Sequence, residues 1–232
     1  MKTIGIVGGL GPESTVDYYK RLITIFQEQY PQLAYPEIIV LSANVNRLLE
    51  LVKQKDWETL SEWLLSKVAA LSRAGADFAV IGSNTPHIVF DAVQARSPLP
   101  LLSIVEATCE QAERLRVKKL GLLGTQFTMT ADFYPQVFRG KGMELVVPSA
   151  AEQQLIQEKL DSEIELGIFK ASTRDELLAI IKRMKDSAAI EAVILGCTEL
   201  PLILDRDEFG IPFLNTTAIH VQRIVEYCLG EG

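Results

Sequence analysis

The sequence predicts an α/β protein made of two pseudo-symmetric parallel-sheet domains, with the active site in the cleft between them. Two observations predict the architecture. Short β-branched runs rotate strictly with long amphipathic stretches along the chain, and strands covered on both faces read as such continuous apolar runs. The first half is also echoed in the second. Ile4-Gly5-Ile6-Val7-Gly8 resembles Leu120-Gly121-Leu122-Leu123-Gly124, and "VIGSNTPH" at 80–87 resembles "VILGCTEL" at 193–200. Gly124 follows Gly8 by 116 positions and Cys197 follows Ser83 by 114, a near-constant offset that reads as a duplicated unit.

Taken in order, residues 3–7 form the first strand, an apolar run closed by glycine. The turn "GGLGPEST" leads into a helix, with Pro12 suited to the first helical position and Glu13 complementing the positive helix end. A second strand falls at 38–43. Asp56 reads as an N-cap, followed by Trp57, Leu60, Leu64, Leu65, Val68 and Leu71 on one helical face. Further strands are expected at 78–81 and 101–105, then a helix around 106–115 that contains Cys109. The second half repeats the scheme with strands at 120–123, 145–147, 192–195 and 213–214. These elements place the first domain at 1–105 and the second at 106–215, with a terminal helix at 216–232 able to pack back on the first.

Composition narrows the function classes. The 232 residues are 48% hydrophobic and 23% charged, ordinary for a soluble globular protein. A net charge of −7 offers no footprint for nucleic acid. The N-terminal apolar run is broken by glycines and a proline too early for a signal peptide or a spanning helix, so no membrane partner is expected. Three scattered cysteines make neither a disulfide framework nor a zinc site, which fits a reducing cytoplasm.

In parallel α/β sheets ligands sit beyond the carboxyl ends of the strands. Residues 8–15, 83–87, 124–128 and 197–199 all fall at such ends. If the halves face one another, Ser83 and Cys197 approach one cavity from opposite sides. That arrangement suits moving a proton from one face of a tetrahedral carbon to the other, with a base on the first face and an acid on the second. A thiol serves because both its protonation states are within reach near neutrality, and backbone N–H groups at helix starts bind carboxylates and developing negative charge.

Each residue also has a plainer role. Free cysteine is most often a small buried hydrophobe, and Cys109 and Cys228 are read so. Cys197, with glycine before it and Thr-Glu after it at a strand end, is read as reactive. His87 supports the substrate region or caps and packs, and His220 packs the terminal helix. "GGLG" begins like a dinucleotide fingerprint, but Ser14 stands where the third glycine belongs and no acidic residue closes the second strand. The turn is therefore a cradle for a carboxylate.

"GIVGGLGPEST", "SNTPH", "LLGTQFTMTADFY" and "LGCTEL", in this order, resemble the aspartate/glutamate racemases, cofactor-independent amino-acid racemases, over residues 2–218. The resemblance implies two α/β domains with a site between them, a small acidic amino acid as substrate, frequently a homodimer, and no pyridoxal phosphate or metal. It carries the two catalytic cysteines onto Ser83 and Cys197. Substrate-binding roles fall on Leu10, Gly11, Arg47, Asn84, Thr85, Thr125, Thr128, Thr198 and Glu199, with Arg47 pairing a substrate carboxylate.

Three positions depart from the family pattern. Ser83 replaces the first cysteine, Glu165 lies where aspartate racemases carry a lysine, and Asn215 stands where relatives have Asp. Ser83 admits three explanations: an engineered Cys-to-Ser substitution, a naturally asymmetric enzyme in which the hydroxyl or a water it holds returns the proton, or single-cysteine chemistry like that of arylmalonate decarboxylases. A binding protein that has lost turnover is the alternative outside enzymes.

Overall fold

The computed structural model describes residues 1–230. The chain divides into two compact units. One comprises residues 1–107 together with the C-terminal segment from Thr217, and the other spans Thr108–Thr216.

The first unit runs β1 (Ile4–Gly8), α1 (Pro12–Gln29), β2 (Ile38–Ser42), α2 (Val45–Gln54), α3 (Trp57–Arg73), β3 (Phe78–Ile81), a 3₁₀ turn (Thr85–Val89), α4 (Phe90–Gln94), β4 (Leu101–Leu102) and the start of α5 (Ile104–Arg114). Its four strands are parallel in the order β2-β1-β3-β4. The strands at its centre are buried on both faces. On one side Val7, Ala79 and Ile81 pack with Leu48, Leu60, Leu64, Val68 and Leu71. On the other, Ile4, Ile6, Phe78 and Val80 pack with Tyr18, Leu22 and Phe26 of α1 and with Val221, Ile224, Val225 and Cys228 of the C-terminal helix.

The second unit runs β5 (Lys119–Leu123), α6 (Gln126–Thr130), α7 (Phe133–Gly140), β6 (Glu144–Val146), α8 (Ala150–Ser162), a 3₁₀ turn (Ile164–Leu166), α9 (Ala171–Ala188), β7 (Ala192–Leu195), a 3₁₀ turn (Leu200–Leu202) and β8 (Phe213–Asn215), before α10 (Thr216–Leu229) returns to the first unit. The strand order β6-β5-β7-β8 repeats that of the first sheet, and every pairing is parallel. The duplication read from the offset is thus present in the topology. The core of this unit joins Leu123, Val193 and Leu195 to Ile156, Leu160, Leu177, Ile181 and Met184.

The local signals hold where their physics is local. Asp56 caps α3 by accepting from the Thr59 N–H at 3.1 Å, and Leu60, Leu64, Val68 and Leu71 are buried beneath it. The strand expected at 101–105 is corrected to Leu101–Leu102. Ser103 accepts from the Glu106 N–H at 3.2 Å and so starts α5 at Ile104, turning β-branched Ile104 and Val105 into helical residues. Among the described residues no helix is long and apolar enough to cross a membrane.

Candidate active site

In the first unit, the ends of β1, β2 and β3 are stitched into one surface by hydrogen bonds. The Ala43 N–H donates to the Gly8 carbonyl at 2.8 Å, and the Gly82 N–H to the Val7 carbonyl at 3.0 Å. Ser14, buried at the start of α1, donates its hydroxyl to the Gly82 carbonyl at 3.2 Å. Gly9 has φ +73°, and a Cβ there would lie 2.5 Å from the Ala43 carbonyl oxygen, so the turn demands glycine twice over. Leu10 and Gly11 lie at its crest. Gly11 is the extended N-cap of α1, with no side chain to occupy the helix start.

Ser83 follows β3 in a tight turn, its N–H donating to the Ile81 carbonyl at 2.9 Å. Its own carbonyl accepts from His87 Nδ1 at 2.9 Å, while His87 Nε2 accepts from the Ile104 N–H at 3.3 Å. An imidazole that accepts at Nε2 carries its proton on Nδ1, so His87 is neutral and clamps the Ser83 turn to the start of α5. Burial agrees, pushing its pKa down to about 4 despite the hydrogen bonds to Ser83 and Asn84 that oppose the shift. The ring stacks on Phe90 with centroids 5.0 Å apart. Asn84 is buried and Thr85 half-buried behind Ser83. Arg47 lies in the first turn of α2, half-buried, and its Nη1 meets Glu50 Oε2 at 2.6 Å.

In the second unit, the ends of β5 and β7 close on each other at Gly124 and Gly196. A Cβ on Gly124 would stand 3.0 Å from the Gly196 carbonyl oxygen, and one on Gly196 would stand 3.0 Å from that of Leu123. The two strand ends touch because neither residue has a side chain. Directly after this contact comes Cys197, whose thiol donates to Glu199 Oε2 at 3.1 Å. The Thr198 hydroxyl donates to the same oxygen at 2.8 Å. All three residues are buried. Thr125 caps α6, accepting from the Thr128 N–H at 3.2 Å, and its hydroxyl lies 3.0 Å from that of buried Thr128.

Glu165 joins this group. One ligand-type atom each from Glu165, Cys197 and Glu199 lies within 4.8 Å of the others, a set able to hold a cation. Partial desolvation of the Glu165 carboxyl, though the residue is exposed, raises its pKa to about 7, helped by the charges of Glu199 and Asp161. Burial first, and the Glu199 charge second, push the Cys197 thiol well above its ordinary range. The site therefore rests with a neutral thiol whose proton already points at a carboxylate oxygen.

Cys197, Thr198 and Glu199 are thus brought together with Glu165, and the Leu10–Gly11 turn is tied to the Ser83 turn through Ser14. Cys109, Cys228 and His220 are all buried. His220 accepts from the Tyr18 hydroxyl at Nδ1 (2.8 Å) and donates from Nε2 to the Leu102 carbonyl (3.1 Å). In the sequence Ser14 is visible only as the residue that breaks a dinucleotide fingerprint, and the structure adds its bond to the Gly82 carbonyl.

Residues 7–224 match the family Asp/Glu/Hydantoin racemase. The broad-specificity amino-acid racemase RacX of Bacillus subtilis (strain 168) is 26% identical over 218 residues, covering 93% of each chain. The crystal structure of an aspartate racemase homologue from Pyrococcus horikoshii OT3 superposes with a TM-score of 0.86 at 38% identity, covering 99% of this chain and 100% of that one. The aspartate racemase of Picrophilus torridus shares the fold, with a TM-score of 0.80 at 19% identity, covering 98% and 94%. Matched along nearly its whole length, with the glycine-closed strand ends and the Cys-Thr-Glu turn in place, the chain belongs to the Asp/Glu/hydantoin racemase family.

Proposed function

We propose that the protein is a cofactor-independent amino-acid racemase in which Cys197 exchanges the α-proton on one face of the substrate and the Ser83 position serves the other. The observation that carries this reading is the Cys197 S–H donated to Glu199 Oε2 at 3.1 Å. Passing that proton to the carboxylate yields the thiolate. The thiolate then takes the α-proton, and the electron pair of the C–H bond moves into an enolate stabilised by N–H donors at the helix starts. A proton from the Ser83 hydroxyl, or from a water it holds, returns to the opposite face; solvent then takes the proton left on Glu199 and restores the one given up at Ser83.

The two directions are unequal. A hydroxyl resists ionisation far more than a thiol, and no hydrogen bond to a basic side chain reaches the Ser83 hydroxyl among the described residues. Ser83 therefore gives a proton more readily than it takes one. The reading favours natural asymmetry over lost turnover, because His87 and Ser14 hold the Ser83 turn in place through bonds to its backbone.

A panel of single amino-acid enantiomers in deuterated water, followed by loss of the α-proton NMR signal, tests it. Exchange is expected faster from one enantiomer than from its mirror image. Cys197→Ala should remove it by about 10²–10⁴-fold, the range for a positioned acid or base. Ser83→Ala should suppress racemisation while sparing exchange in the enantiomer that faces the thiol, and Ser83→Cys should speed the slow direction. Wild-type exchange that survives Cys197→Ala, or no exchange from any amino acid, sinks the proposal. A second reading, an acidic substrate, would have Arg47 exchange Glu50 for a second substrate carboxylate, which its guanidinium suits.

A further inference from the structure

We infer that Glu165 is a specificity-determining residue that turns away a second carboxylate, so that the preferred substrate is a monocarboxylic amino acid. The inference rests on Cys197 being the group that meets the α-carbon. Glu165 is held beside that group by a fixed turn. Ile164 is buried, the Leu166 and Ile168 N–H groups donate to the Glu163 carbonyl at 3.1 and 2.9 Å, and the Gly167 N–H donates to the Ile164 carbonyl at 3.1 Å. Glu163, at the root of the turn, is anchored by Thr173 and by Lys170 at 3.1 Å. The turn thus presents the Glu165 carboxyl within 4.8 Å of both the Cys197 thiol and the Glu199 carboxylate.

What separates Glu165 and Glu199 from the acids around them is the lack of a cation. Glu163 pairs with Lys170 and Lys159, Glu152 with Arg183, and Glu208 with Arg174 and Arg206. Neither Glu165 nor Glu199 has an ion pair among the described residues. Two uncompensated carboxylates beside the thiol complement an α-ammonium, which every amino acid brings. They oppose the side-chain carboxylate of aspartate, which lies only two bonds from the α-carbon. A binding site that repels the wrong ligand in this way gains selectivity without new attractive contacts. Arg47, the cation that would favour a dicarboxylate, is already engaged by Glu50.

The groups facing Glu165 are Asp161 from α8 and Glu199 and Cys197 from the turn after β7, all acidic, while the lysines nearby are spent on Glu163.

The isosteric pairs L-glutamine against L-glutamate and L-asparagine against L-aspartate isolate the charge. With wild type, kcat/KM for α-proton exchange should favour the amide by at least about tenfold, the factor that ~1.4 kcal/mol gives. In Glu165→Gln it should shrink, and in Glu165→Lys it should invert. Wild type that handles the acids as well as the amides, or a ratio unmoved in Glu165→Gln, overturns the inference while leaving the racemase reading intact. If no amino acid exchanges, that reading fails. Calorimetric titration of wild type and Glu165→Gln with glutamine and glutamate then decides separately: tighter glutamine binding that depends on Glu165 supports the inference, and equal or absent binding ends it.

Discussion

At the scale of single residues, the molecule keeps several ionisable groups in the form that water would not choose. His87 and His220 are buried and neutral, with pKa values pushed down to about 4 and about 3, chiefly by burial. Their folded values lie below the unfolded value of about 6.5. Stability from them is therefore whole above pH ~6.5 and is lost as pH falls through the folded values, at about 1.4 kcal/mol per pH unit for each group. Glu165 has the opposite sign. Its folded pKa of about 7 exceeds the unfolded value, so its contribution is whole below pH ~4.5 and lost as pH rises to 7. Two histidines outweigh one carboxyl between these limits. Chemical denaturation from pH 7 to pH 4.5 should accordingly show falling stability, and His220→Gln should flatten the slope; a flat wild-type profile would contradict the buried neutral pair.

At the scale of elements, the strand ends matter most. Gly9 combines φ +73° with a Cβ position 2.5 Å from a backbone oxygen, and backbone cannot step aside as a side-chain tip can. Gly9→Ala should cost more than about 2 kcal/mol, the upper reach of ordinary overpacking plus left-handed strain, read as a thermal melt several degrees lower. Gly196→Ala meets gentler contacts at 3.0 Å but lies immediately before Cys197. It should lower kcat more than it lowers the melting temperature, because the thiol rides on that strand end. Such glycines were legible as strand-closing punctuation, since a glycine after an apolar run is a local signal. The two-residue β4 was not legible. Ser103-Ile104-Val105-Glu106 carries a β-branched pair inside a capping sequence, and the cap won.

At the scale of the whole molecule, the chain's last helix belongs to its first sheet. Val221, Ile224, Val225 and Cys228 of α10 fill the face of β1 and β3 that α1 leaves open, the Lys2 N–H donates to the Cys228 carbonyl at 3.0 Å, and Tyr18 binds His220. Each large buried side chain lost costs about 2–5 kcal/mol, so losing this helix costs as much as the ~5–15 kcal/mol that holds a domain folded. A chain ending at Thr216 should lose amide protection in β1 and β3 while β5 and β7, with their own core, keep theirs. Equal protection in both sheets would refute this dependence.

The sequence alone determined the class of fold, the duplication and the Cys-Thr-Glu turn, because hydrophobic period, repeat offset and strand-closing glycine are properties of neighbours along the chain. Only the tertiary structure decided that Glu165 stands beside Cys197, that His87 is a neutral clamp and that Ser14 bridges two strand ends. Those facts depend on which distant segments share a strand end, and no local pattern of residue types encodes the distance between them.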